Sequence, residues 1–144
     1  MGRWARLLAR SPAERTLLLE AAAWLALFRL VILLLPFRWI APRLGRHMEE
    51  SGEADDDDAA HRELVPRVGW AVAAAARHVP WQAVCLPQAM AAKAMLRRRG
   101  VDSTLYLGVV RDREMMAHAW LRVGGRIVTG GPGVDRYTVV STFG

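Results

Sequence analysis

Residues Thr16 to Leu35 read TLLLEAAAWLALFRLVILLL, and this run sets the first problem of the fold. As a helix of about 20 residues it is long enough to cross a bilayer. A chain of 144 residues supports one domain with one modest core. It must therefore bury this run, insert it, or offer it to a partner. Helix-start signals precede the run. Ser11 is a capping residue, Pro12 fits the first helical position, and Glu14 completes a capping box. Pro36 ends it. Glu20 and Arg29 lie inside it, and each is costly at bilayer depth. No small-residue cleavage site follows, which argues against a signal peptide. The run reads as a long helix, apolar on most sides, buried against the domain or a partner protein. A membrane-associated helix is the alternative.

Residues 49–60, EESGEADDDDAA, break the pattern as an acidic loop whose last aspartate caps the next helix. The loop lacks the spaced ligands and the glycine of a calcium-binding loop. It divides the chain into an N-terminal helical segment, 1–48, and a core, 61–144. AAHRELVPRVGWAVAAAARHVP is helical by composition, with Pro66 dividing it or opening its second part. His47, His61 and His78 read as surface or helix-end residues. The texture then changes. STLYLGVV (103–110), MAHAWLRV (116–123), RIVT (126–129) and RYTVVST (136–142) read as strands, with Gly124-Gly125 as a hairpin turn. Helices first and an antiparallel sheet second define an α+β fold.

The net charge is +6, carried almost entirely by arginine, with Lys93 the sole lysine. The sequence lacks the aromatic-basic interleaving of single-strand binders, so no nucleic acid is expected as a partner. One cysteine excludes an internal disulfide and leaves a zinc site to His and carboxylate ligands, so the chain points to a reducing, cytoplasmic setting. No phosphate-binding loop is present, and neither metal nor cofactor is called for.

That one cysteine, Cys85, stands where the helix CLPQAMAAKAMLRRRG begins. Pro87 fits the first turn, Gly100 lies just past the end, and arginines fill the last turn. Unpaired N–H groups at a helix start stabilise a thiolate and donate to an oxyanion. Cysteine is also a common small core residue, so a base must accompany it. On the strand MAHAWLRV, His118 shares the less apolar face with Trp120 and Arg122. A cysteine at a helix start and a histidine on a following strand make a nucleophile-base pair. A third group is needed to hold the imidazole. Asp135 in GPGVDRYT is the candidate, or else a loop cap; Asp112 reads as solvated. Gln82, three residues before Cys85, is a candidate oxyanion donor or an ordinary loop amide. Trp120 is a candidate substrate-contacting residue.

CLPQAMAAKAMLRRRGVDSTLYLGVV followed by AHAWLRVGGRIV resembles the leader peptidases of lasso-peptide biosynthesis, and LLLEAAAWLALFRLVILLLPFRWIAPRLG resembles the opening segment of that family. The resemblance implies a transglutaminase-like, papain-related core, with the nucleophile at a helix N-terminus packed on a small antiparallel sheet. It implies a cysteine protease, with Cys85 as nucleophile and His118 as base. The substrate would be the leader of a lasso precursor peptide, delivered by a small recognition protein, with the macrolactam cyclase a further candidate partner. The family's acidic third residue is expected soon after the histidine, where this chain reads IVTGGPG without a carboxylate. Either Asp135 returns to His118, or a backbone carbonyl or another side chain orients the ring. Acyl transfer on the same Cys-His chemistry, or a non-catalytic peptide-binding module, are the alternatives.

Overall fold

The computed structural model describes residues 6, 9–40, 42, 59–78, 85–111, 115–124, 126–131, 134 and 137–144. The acidic residues 49–58, together with His47, Gln82, Asp112 and Asp135, lie outside this set.

Helix α1 spans Pro12–Leu34, with the Ser11 hydroxyl accepting from the N–H of Glu14. The Glu14 carboxylate pairs with Arg10, so only the Ser11 half of the expected capping box appears. The short helix α2 covers Phe37–Ile40. Helix α3 runs unbroken over Ala59–His78 with Pro66 inside it. The proline forfeits one helical hydrogen bond, but Val65 and Val68 on either side are buried in the core. That packing carries the helix through the break expected at this position. His78 bonds back to the carbonyl of Ala74 and closes the helix. Helix α4 spans Cys85–Arg98, and the N–H of Val101 reaches the carbonyl of Leu96 past its end.

The sheet has four strands: β1 Thr104–Arg111, β2 Met115–Val123, β3 Arg126–Thr129 and β4 Thr138–Phe143. Their order is β3-β2-β1-β4, and every pairing is antiparallel. The fold is α+β, as its sequence texture predicts. Alternation sends Leu105, Ala119, Leu121, Val123 and Phe143 into one core with the helices. Leu17, Ala21 and Leu25 of α1, Val68 and Val72 of α3, and Met90 and Met95 of α4 fill the other side. The first half of α1 is thus part of the core.

Of the two charges inside the apolar run, Glu20 is paired with the end of α4. Glu20 receives Arg98 at 2.5 Å and Arg99 at 2.6 Å, both from the end of α4. The Arg99 hydrogen bond, above all, holds the Glu20 carboxyl below its ordinary range. The second half of α1 is different: Leu27, Leu30, Leu33 and Leu34 remain exposed. By length and composition alone α1 could cross a membrane.

Candidate active site

Cys85 is the first residue of α4, a free and half-buried thiol packed against the core. Pro87, Ala89 and Met90 bury the first turns behind it, fixing where the helix starts. The first N–H groups of a helix have no intrahelical acceptor, so the turn that Cys85 opens carries unpaired donors.

His118 sits on β2, opposite Gly108 of β1. Its Nε2 lies 2.7 Å from the carbonyl oxygen of Gly130. A carbonyl only accepts, so Nε2 carries the proton, and Nδ1 of the neutral ring keeps its lone pair. Gly130 follows β3 with φ +72°. A Cβ there would lie 2.5 Å from the carbonyl oxygen of Ala119 and 3.1 Å from His118 Nε2. Glycine is the residue that lets this backbone come so close to the imidazole.

Aromatic rings build the rest of this face. The rings of His118 and Trp120 stack at 5.9 Å, and Tyr137 lies 5.0 Å from His118. Tyr106, opposite Trp120 in the register, stacks on it at 5.4 Å. Arg122 donates to the Tyr106 hydroxyl at 2.8 Å and to the carbonyl of Gly124. Trp120 is itself buried, so its ring forms the wall on which the imidazole rests.

The candidate residues thus fall into two groups. His118 and Trp120 stand together on the face of β2 that points away from the core. Cys85 stands at the start of the helix on the core side, and among the described residues no hydrogen bond joins it to His118. The β2–β3 pairing runs only from Leu121↔Thr129 to Val123↔Arg126. Among the described residues, His118 therefore lies beyond the stretch of β2 that pairs with β3, with Gly130 against it. Gln82 and Asp135 lie outside the described residues. Tyr106 and Tyr137 were missed in the sequence, whereas a backbone carbonyl was one of the alternatives left open for orienting His118, and Gly130 supplies it. Strand alternation across the β1–β2 hairpin was the available signal for Tyr106; a backbone acceptor such as Gly130 leaves no residue-type signature.

A helix-start cysteine beside a four-stranded antiparallel sheet bearing an oriented histidine is an arrangement suited to thiol-based acyl chemistry. The family model of the transglutaminase-like superfamily matches residues 31–142, and the chain belongs to that superfamily. The superfamily includes cysteine peptidases and acyltransferases. No curated protein and no solved structure matches the chain.

Proposed function

We propose that the chain is a cysteine peptidase that removes the leader from a ribosomally made lasso-peptide precursor before the macrolactam is closed. The observation that carries this reading is the orientation of His118 by Gly130, which leaves Nδ1 as a base in a superfamily of thiol enzymes. The resemblance of the Cys85 helix and the AHAWLRV strand to leader peptidases supplies the substrate class.

In this reading His118 Nδ1 takes the Cys85 thiol proton, and the thiolate attacks the carbonyl at the leader–core junction. Helix-start N–H groups, that of Cys85 included, donate to the oxyanion. His118 returns the proton to the leaving amine of the core peptide, and the C–N bond breaks. Water then hydrolyses the thioester, releasing the leader and the free thiol. This reading requires Cys85, on the core side of β2, and His118, on its other face, to come within reach of one another. Gln82, Asp135 and Trp120 are further proposed contributors, to the oxyanion site, the histidine and the substrate wall. A recognition protein delivers the leader.

Mass spectrometry of the precursor incubated with its recognition protein and either wild type or Cys85→Ala tests the reading. Cleavage at one junction by wild type alone is expected. Cleavage by both proteins, or by neither, overturns it. A product ligated to an added amine would instead assign acyl transfer.

A further inference from the structure

β1 lies between β2 and β4, and Gly108 sits inside it, buried and directly opposite His118. A glycine within a strand weakens it, because it loses more entropy on folding and packs nothing. Two ordinary reasons for such a glycine do not apply. Gly100, Gly124 and Gly130 have positive φ and Gly108 does not, so its backbone is one that other residues adopt. The β1–β4 register shifts between Leu107 and Gly108, but the residue in excess is Val140, on β4. What remains is space. A Cβ at Gly108 would lie 2.8 Å from Cη2 and Cζ3 of Trp120 and 2.9 Å from Cβ of Tyr137.

Residues directly opposite on paired strands share a face, so the bare position is a notch beside the imidazole. The Trp120 indole reaches diagonally across it from β2, and Tyr137, just before β4, closes it from the other side. Trp120 and Tyr137 are 6.4 Å apart, and the His118 ring lies 5.9 Å from the first and 5.0 Å from the second. Tyr106 backs the indole, within 6° of parallel, and Arg122 holds Tyr106 by its hydroxyl. The hydrogen bond to Gly130 fixes one nitrogen of the imidazole. The ring could still pivot about that contact, and the two flanking rings stop the pivot. We infer that Gly108 is a positioning residue for His118: its missing side chain is the notch that seats Trp120 and Tyr137 against the imidazole and so sets where Nδ1 points. That Nδ1 serves as a base rests on the peptidase reading; the seating of the ring does not.

Long-range proton–nitrogen NMR of the full chain, with isotope-labelled histidines, reads the seat without turnover. At about pH 8, above the ordinary histidine range, wild type is expected to show His118 as one species with its proton on Nε2, assigned by its loss in His118→Gln. Gly108→Ala is expected to split or broaden that species between the two tautomers. Trp120→Leu, which empties the seat instead of crowding it, is expected to do the same, and it keeps the test decisive where Gly108→Ala does not fold. Gly108→Ala combined with Trp120→Phe removes the indole rim that the new methyl would strike, and is expected to regain most of the single species. Val72→Ala opens a cavity in the core, across the sheet from the notch; it is expected to lower Tm and leave His118 unchanged. Unchanged His118 signals in Gly108→Ala and Trp120→Leu overturn the inference, as does equal disturbance by Val72→Ala or a wild type already split between tautomers. With the precursor and its recognition protein, kcat of Gly108→Ala is expected to fall about tenfold or more while KM holds. Disturbed signals with an unchanged kcat overturn the positioning role. Disturbed signals with no cleavage by wild type overturn the peptidase reading alone. Cleavage by wild type with His118 signals insensitive to both substitutions overturns the seat alone.

Discussion

The imidazole of His118 donates from Nε2 to the carbonyl oxygen of Gly130, 2.7 Å away. A backbone carbonyl thus holds the ring at the place where a carboxylate is otherwise expected. It is available because the chain turns at Gly130 with φ +72°. Gly130→Ala would add a Cβ 2.5 Å from the carbonyl oxygen of Ala119 and strain the backbone by about 1–3 kcal/mol. The expected outcome is a lower Tm and a fall of about 100-fold in kcat/KM for junction cleavage, since an unoriented base loses most of its contribution. Steady-state kinetics and thermal melts check both. Full activity in a folded Gly130→Ala protein would assign the orienting role to another group.

Because Cys85 is the sole cysteine, whole-protein mass reports its alkylation without ambiguity. If His118 serves as its base, His118→Ala should slow alkylation by iodoacetamide at pH 7. It should also lower cleavage by about 10²- to 10⁴-fold, while Cys85→Ala abolishes it. Identical alkylation rates in wild type and His118→Ala would separate the two residues functionally.

The strands were legible because their alternation and the Gly124-Gly125 turn are local signals, and the same alternation placed His118 and Trp120 on one face. The start of α4 at Cys85 was legible from Pro87, which fits a first helical turn. Relations across the chain were not. Tyr106 meets Trp120 only through strand register, and Gly130 acts through an oxygen that every residue possesses. Pro66 misled because tertiary packing of Val65 and Val68 outweighs one lost hydrogen bond. Glu20 read as a charge to be avoided in a bilayer, while its partner Arg98 lies 78 residues away.

That same Glu20 supplies a pH signature. Its carboxyl is held below the ordinary value of 4.5, first by the Arg99 hydrogen bond and against its own desolvation. A depressed carboxyl stabilises the fold fully above the unfolded pKa. The contribution is lost as pH falls below about 4.5 and through the folded value. Glu20→Gln should therefore destabilise the protein by about 1–3 kcal/mol at pH 7, toward the lower end because Arg98 is exposed. The gap to wild type should close in acid. Urea denaturation at pH 7 and pH 3 measures it. A gap that persists at pH 3 would show that the ion pairs are not its source.

Gly69 of α3 gives a prediction opposite in sign to helix propensity. Replacing an exposed mid-helix glycine with alanine gains about 1 kcal/mol. Here the new Cβ would sit 2.9 Å from the carbonyl oxygen of Val128 and 3.3 Å from its Cγ1. Both belong to β3, which is short and packed beneath the helix, so relief requires moving the strand. Gly69→Ala is expected to lose about 1–2 kcal/mol instead, as overpacked cores do. Val128 lies two residues before Gly130, so a displaced β3 would also move the carbonyl that orients His118. Cleavage by Gly69→Ala should fall in kcat more than KM rises, and by less than in Gly130→Ala, where the clash is direct. A Gly69→Ala protein more stable than wild type, with cleavage unchanged, would show that α3 does not set the position of β3.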